Sequence, residues 1–277
     1  MMQPLAPSRH SRGFTLIEAI AVFVITGILA AVVAVFIRAP VEGYFDTVRR
    51  AQLTDTADTA LRRISRDLRL ALPNSARVAS LGTKSYLEFI ETRSGGRYRA
   101  EPDNTGGGDV LDFTSSTDAA FDVLGPPVAV AVGDQIVVYN LGIPGADAYA
   151  GDNRRAYAGA AGTVSAIAFV ATASLFPFPS PGQRFQVVDT PVTYECDPAA
   201  GVLRRYWGYA ITAAQATPPS GVTTVSAVLA DQVTACTFSY DPNVANLRTG
   251  LVSLQLVLSS AGENVRLFHQ VHVSNMP

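Results

Sequence analysis

The chain has 277 residues, 48% of them hydrophobic and 16% charged, with a formal net charge of −2. That length holds a membrane segment plus one ample globular domain or two small ones. The near-neutral balance lacks the basic footprint of a general nucleic-acid binder, and three histidines and two cysteines offer no metal-ligand spacing.

The first stretch, residues 1–13, is polar and carries Arg9 and Arg12 as its only charges. It reads as a leader to be set aside in fold reasoning, and its removal would make the chain more negative by two. An apolar run begins at Phe14, with Glu18 as its one charge before Arg38. Counted from Phe14, the run reaches the ~20 residues that span a ~30 Å hydrocarbon core as a helix. A secretory signal peptide has a shorter apolar core with a small-residue cleavage site after it, so this segment reads as a retained anchor. Arg9 and Arg12 on its N-terminal side predict a cytoplasmic N-terminus and an exported remainder.

Glu18 is out of place in a plain anchor. An ionised carboxylate within an apolar membrane segment costs several kcal/mol unless it is paired or lies near the interface. Cleavage after Gly13 would leave the α-amino group of Phe14 about one helical turn from Glu18. The block Gly13-Phe14-Thr15-Leu16-Ile17-Glu18 resembles the class III signal of type IV prepilins and type II secretion pseudopilins. The resemblance implies cleavage between Gly13 and Phe14 by a prepilin peptidase, N-methylation of Phe14, and an assembly role for Glu18 opposite a neighbouring subunit's N-terminus. It also implies other major and minor pilins and an inner-membrane assembly platform as partners.

Within the apolar run, Gly27 is a weak point, since glycine costs a helix ~1 kcal/mol relative to alanine. Pro40 should end or kink this first helical section, 14–38, near Arg38. A second section, 41–72, repeats apolar residues at three- and four-residue intervals through Val41, Tyr44, Phe45, Val48, Ala57, Ala60, Leu61, Ile64 and Leu68. Its arginines, Arg62, Arg63, Arg66 and Arg69, gather toward the C-terminal end and complement the helix dipole. They read as a solvated face, with contact to neighbouring subunits as the alternative. Leu72-Pro73-Asn74 should stop the helix.

From 74 to 277 the pattern becomes short β-rich segments divided by Gly, Pro, Asn and Asp. Strands are expected near Arg77–Leu81, Ser85–Thr92, Val110–Ser115, Gln135–Asn140, Val164–Val170, Gln183–Val188, Val192–Cys196, Val202–Trp207, Thr224–Leu229, Cys236–Asp241, Leu251–Ser259 and Val265–Val273. Residues 260–264 suit a hairpin turn between the last two. In Val252–Leu258 every even-numbered residue is apolar, so those side chains should face the long helix or the inside of a sandwich. The expected fold class is α+β, pilin-like: a long N-terminal helix, membrane-spanning in its first half and amphipathic in its second, packed on an antiparallel β-sheet domain. Cys196 and Cys236, an even pair in an exported domain, favour a disulfide, with a reactive thiol or metal pair as the alternative.

Three further blocks, Leu53–Arg63, Thr190–Pro198 and Val233–Tyr240, resemble minor pilins of the mannose-sensitive haemagglutinin (MSHA) pilus system, the MshO type. The implied life history is insertion in the inner membrane and then assembly into, or at the tip of, a pilus on the cell surface. A type II secretion pseudopilin of the J type and a pilus-tip adhesin or DNA-uptake protein are the alternatives.

Chemistry of other kinds finds little support. His269 and His272 sit three apart in one expected strand, on opposite faces. Gly106-Gly107-Gly108 lacks the Lys and Ser/Thr of a phosphate loop. No catalytic set can be assembled, and no cofactor is expected. Asp103, Asn104 and Asp109, with Asp147, Asp152 and Asn153, have oxygens suited to calcium, but lack EF-hand spacing and are ordinary turn formers. Tyr206-Trp207-Gly208-Tyr209 could form an adhesive surface, though such residues more often fill a sheet.

Overall fold

The computed structural model describes residues 13–173, 175–242 and 249–277; the leader up to Arg12 lies outside them. The chain divides into two compact units, one ending at Ala51 and one running from Gln52 to Pro277. The one helix among the described residues, α1 (Leu16–Leu68), has Pro40 inside it. The expected end at Arg38 is therefore absent. Proline removes one hydrogen bond from the ladder, and the runs on either side are each long enough to propagate.

From Ala19 to Ile37, α1 is apolar on all sides, and it is largely exposed as far as Ala51. Phe14, Phe23 and Phe36 are 73%, 77% and 76% exposed, and Val41, Tyr44 and Phe45 are exposed as well. The amphipathic pattern takes effect later than its sequence period suggests, at Leu53, Ala57, Ala60, Leu61, Ile64 and Leu68, all buried. The helix closes four residues before Leu72. Leu72 N–H donates instead to Ile90, and Thr92 N–H to Leu70, so strand pairing takes over the backbone.

The strands are β1 (Arg77–Leu81), β2 (Lys84–Tyr98), β3 (Ala120–Leu124), β4 (Val128–Val130), β5 (Gln135–Val138), β6 (Arg154–Ala156) and β7 (Gly162–Val164). There follow β8 (Ala166–Ala168), β9 (Arg184–Asp197), β10 (Val202–Trp207), β11 (Val225–Ala230), β12 (Val233–Asp241), β13 (Thr249–Ser260) and β14 (Glu263–Ser274). All pairings between them are antiparallel. The spine of the main sheet is the long pair β2–β9. Along its length β2 also carries β1 and then β3, while β9 carries β5 and then β10. A second sheet runs β12-β13-β14, and β4 pairs with β7.

This topology makes two principal cores. In the first, the buried face of α1 from Leu53 onward meets Leu87, Phe89, Val192 and Tyr194 of the spine and Val252, Leu254, Leu256 and Leu258 of β13. The even-numbered positions of β13 thus point where their alternation predicts. In the second, the far half of the spine supplies Tyr98 and Phe185 to an aromatic group with Phe121, Phe169 and Phe176. Phe121 and Phe185 have ring centroids 5.0 Å apart in an edge-to-face arrangement. Cys196 of β9 and Cys236 of β12 form a disulfide that joins the two sheets across 40 residues of sequence. On the chain-entropy model such a loop contributes about 4 kcal/mol.

The expected strand at Val110–Ser115 is not formed. Asp112 Oδ1 accepts from Thr114 N–H and Oγ1–H, and Asp112 N–H donates to Asp118, so side chains capture the backbone before a ladder can. The expected strands 183–188 and 192–196 are one, β9, passing through Pro191 beside irregularities in β2 at Ile90, Thr92 and Ser94. The expected strand 164–170 is two short ones with different partners, β7 with β4 and β8 with β3. The β13–β14 turn is tight: Ser260 pairs with Glu263, and Ala261 and Gly262 take positive φ of 46° and 88°.

Candidate assembly site

The N-terminal site is built from the first turn of α1. Gly13 and Phe14 precede the helix and are exposed, and a Cβ at Gly13 would meet nothing within 4 Å. The peptide bond between them is open to an enzyme. Thr15 occupies the N-cap position. Its hydroxyl accepts from Glu18 N–H and donates to Glu18 Oε2, each at 3.4 Å, and its carbonyl accepts from Glu18 and Ala19 N–H at 3.1 Å. Thr15-x-x-Glu18 is a capping-box sequence, a signal legible in the chain that a reading focused on Glu18 as a charge passes over. Glu18 is thereby oriented at the helix N-terminus, where a carboxylate also complements the dipole.

Above that turn the helix presents only apolar and small side chains as far as Ile37. Its one internal hydroxyl, Thr26, donates to Val22 O at 2.6 Å and so carries its partner with it. This segment is long and apolar enough to cross a membrane. A helix apolar all round has no single face to bury, so it needs lipid or several neighbouring helices.

The candidates in the β-rich domain fall elsewhere. Asp103 Oδ1 is engaged by Thr105 N–H, Thr105 Oγ1–H and Gly107 N–H. The two turn clusters therefore show their carboxylates at work on backbone: Asp147 Oδ1 accepts from Tyr149 N–H, and Asp152 Oδ2 from Asp147 N–H. Asn153 is fully buried with its amide donating to Tyr139 O, Asn140 Oδ1 and Ala146 O. Asn104 is exposed in its turn, and burial beside Asp118 and Asp122 raises the Asp109 carboxyl. Among the described residues no group of three or more His, Cys, Asp or Glu side chains is placed to hold a metal. His269 is half-buried and His272 exposed, on opposite faces of β14.

The arginines of α1 divide. Arg62 pairs with Asp58 at 2.6 Å and Arg63 with Asp67 at 3.1 Å, both on the helix itself, whereas Arg66 and Arg69 are exposed. The aromatic group belongs to the sheet: Tyr206 Oη donates to Glu195 at 2.7 Å, Trp207 lies under Arg205, and Tyr209 is buried against Thr193.

Two carboxylate clusters missed by the sequence reading hold the domain together. Asp67, 4% exposed, accepts from Tyr194 Oη at 2.7 Å and Arg205 Nε at 2.8 Å, so it ties the last turn of α1 to β9 and β10. Burial first, and then Asp67, push the Tyr194 phenol far above its ordinary range. Glu195 gathers Tyr86 and Tyr206, at 2.9 and 2.7 Å, and Lys84 at 3.2 Å. Burial pushes Tyr86 up to about 12. Lys84 also reaches Asp197 at 2.6 Å, which holds the Asp197 carboxyl below its usual 3.8. A depressed carboxylate contributes stability above its unfolded pKa and loses it as pH falls through the folded one. Lys84→Met is therefore expected to lower stability by under about 1 kcal/mol at neutral pH, as for a partly exposed pair. That difference should shrink as pH falls below 3.8. Urea midpoints for both proteins at neutral and acid pH measure it, and a constant gap would reject the assignment.

Comparison with known proteins matches residues 8–34 to a family model described as the prokaryotic N-terminal methylation motif. No curated protein and no solved structure matches the chain.

Proposed function

We propose that the chain is a type IV pilin-like subunit, anchored in the inner membrane with its N-terminus cytoplasmic, cut between Gly13 and Phe14 by a prepilin peptidase, and assembled into a filament. The observation that carries this reading is the coincidence of the methylation motif, residues 8–34, with an exposed, all-round apolar helix that begins in a Thr15–Glu18 capping box. Cleavage frees the Phe14 amine. Leaving lipid for a bundle of like helices then keeps the apolar side chains out of water, while Glu18 pairs with a neighbouring subunit's new N-terminus and is relieved of its cost in hydrocarbon. The role is structural, not enzymatic, and the partners are other pilins, the peptidase and the assembly platform.

Within this class the reading favoured is a minor pilin of the MSHA system. The three blocks that resemble it lie far apart in sequence but supply one core: Leu53, Ala57, Ala60 and Leu61 meet Val192, Tyr194, Cys196, Val233 and Phe238 there. Recovery of the chain in sheared pili, and unaltered protein secretion in its absence, would separate this from a J-type secretion pseudopilin.

The cleavage assignment is tested by Gly13→Ser. In cells with an active peptidase the variant should stay at precursor length on a gel, while wild type gives a chain beginning at methylated Phe14 by mass spectrometry. Normal trimming of the variant would reject the site.

A further inference from the structure

In the half of the β2–β9 spine that serves the aromatic core, Arg97 stands directly opposite Arg184, and Gly95 opposite Gln186. Gly96 and the Phe185 ring lie on the core side, since a Cβ at Gly96 would be 3.1 Å from that ring. Alternation therefore puts Arg97, Arg184, Gly95 and Gln186 on the other face. With Thr92 they line an open depression of about 320 Å³, within the size range of small-ligand sites.

The charges in this depression are unbalanced. Arg93, in the same strand, bridges Asp134 at 2.9 Å and Asp189 at 2.7 Å. Among the described residues Arg97 donates only to the neutral Gln183 Oε1, at 2.8 Å. Among the described residues Arg184 has no carboxylate partner, and both guanidiniums are exposed. Like charges directly opposed across an antiparallel pair are destabilising, and an anionic oxygen group between them reverses the sign through charge-assisted hydrogen bonds. The floor is bare backbone at Gly95, because a Cβ there would stand 2.9 Å from the Phe185 carbonyl oxygen. In the wall, Thr92 Oγ1 and Gln186 Oε1 are covered and make no hydrogen bond. Turning either oxygen toward the depression breaks no existing bond, and each can then accept from a hydroxyl.

We propose that this depression binds an acidic sugar of the hexuronate class. Its carboxylate lies between Arg97 and Arg184, and its hydroxyls donate to Thr92 and Gln186. Inorganic phosphate satisfies the arginines but has its one or two hydroxyls on the anionic group itself, and a neutral hexose brings hydroxyls without the anion. The site is independent of the N-terminal processing and assembly reading.

The test is calorimetric titration of the full chain in non-ionic detergent with glucuronate, glucose and inorganic phosphate. Glucuronate should bind, phosphate more weakly and glucose not at all. Arg97→Gln or Arg184→Gln should each weaken glucuronate about tenfold, as loss of a hydrogen bond to a charged group does. Arg66→Gln, on α1, should bind as wild type. The proposal is overturned if glucuronate gives no heat, if phosphate binds as tightly, or if Arg66→Gln weakens binding equally. It is also overturned if the arginine variants bind unchanged. Among the described residues Arg184 makes no side-chain hydrogen bond or ion pair that its loss would break, so that variant reads the site even if Arg97→Gln, which loses its bond to Gln183, unfolds.

Discussion

Glu18→Ala is expected to be cut and inserted in the membrane like wild type, yet to be nearly absent from purified filaments. The carboxylate contributes little to the anchor: among the described residues its one side-chain hydrogen bond is that from the Thr15 hydroxyl at 3.4 Å, and its loss removes a local cap on the order of 1 kcal/mol. Its effect on assembly is larger, because the proposed pairing is made in a desolvated bundle where an opposite charge is worth several kcal/mol. Glu18→Gln separates the two contributions, since it keeps a capping acceptor and removes the charge. Immunoblots of membrane and sheared-filament fractions measure both variants. Glu18→Ala present in filaments at the wild-type level would sink the assembly role, and Glu18→Gln behaving as wild type would assign the residue to helix capping alone.

Asp67→Ala should cost about 3–5 kcal/mol, the penalty for removing one partner of a buried, hydrogen-bonded charge. The substitution strands Arg205, whose side chain is only 11% exposed, and the fully buried Tyr194 hydroxyl. Arg205 keeps a longer contact to Glu91 at 3.4 Å, too weak to replace the lost bond. Tyr194→Phe deletes a hydroxyl and leaves Asp67 both Arg63 and Arg205, so it should cost only about 1 kcal/mol. Denaturant unfolding of the purified chain distinguishes them. A loss under about 1 kcal/mol for Asp67→Ala would mean that the helix end is held by apolar packing instead.

What the sequence reveals depends on how local the cause is. The apolar run, the hairpin at Ala261-Gly262 and the alternation of Val252, Leu254, Leu256 and Leu258 all follow from short-range pattern, and they sit as read. The glycine pair Gly95-Gly96 looks like a strand terminus but lies inside β2, because the neighbouring strand's Phe185 leaves no room for a side chain. The strand Arg154–Ala156 has no apolar pattern at all and exists because β5 lies beside it. Asp67 could not be singled out, since its partners Tyr194 and Arg205 are 127 and 138 residues away. At the N-terminal site the motif was legible and the Thr15 cap was legible in principle, while the opposed pair Arg97 and Arg184 depends on a strand register that no single sequence states.

One small knot bears on when this domain can finish folding. Asn74, in a left-handed conformation with φ 60°, donates to the carbonyls of Asn140 and Asn275, while the amide of Asn275 in turn donates to Tyr240 Oη and Pro242 O. The turn that follows α1 is thus fastened by a residue 201 positions further on. Under the export proposed above, delivery of the chain has to reach Asn275 before that fastening exists, and until then the turn at Asn74 has a donor with nowhere to go but water. On that exported topology, the domain finishes folding only once Asn275 has crossed, and a stalled chain would expose the helix end to proteases.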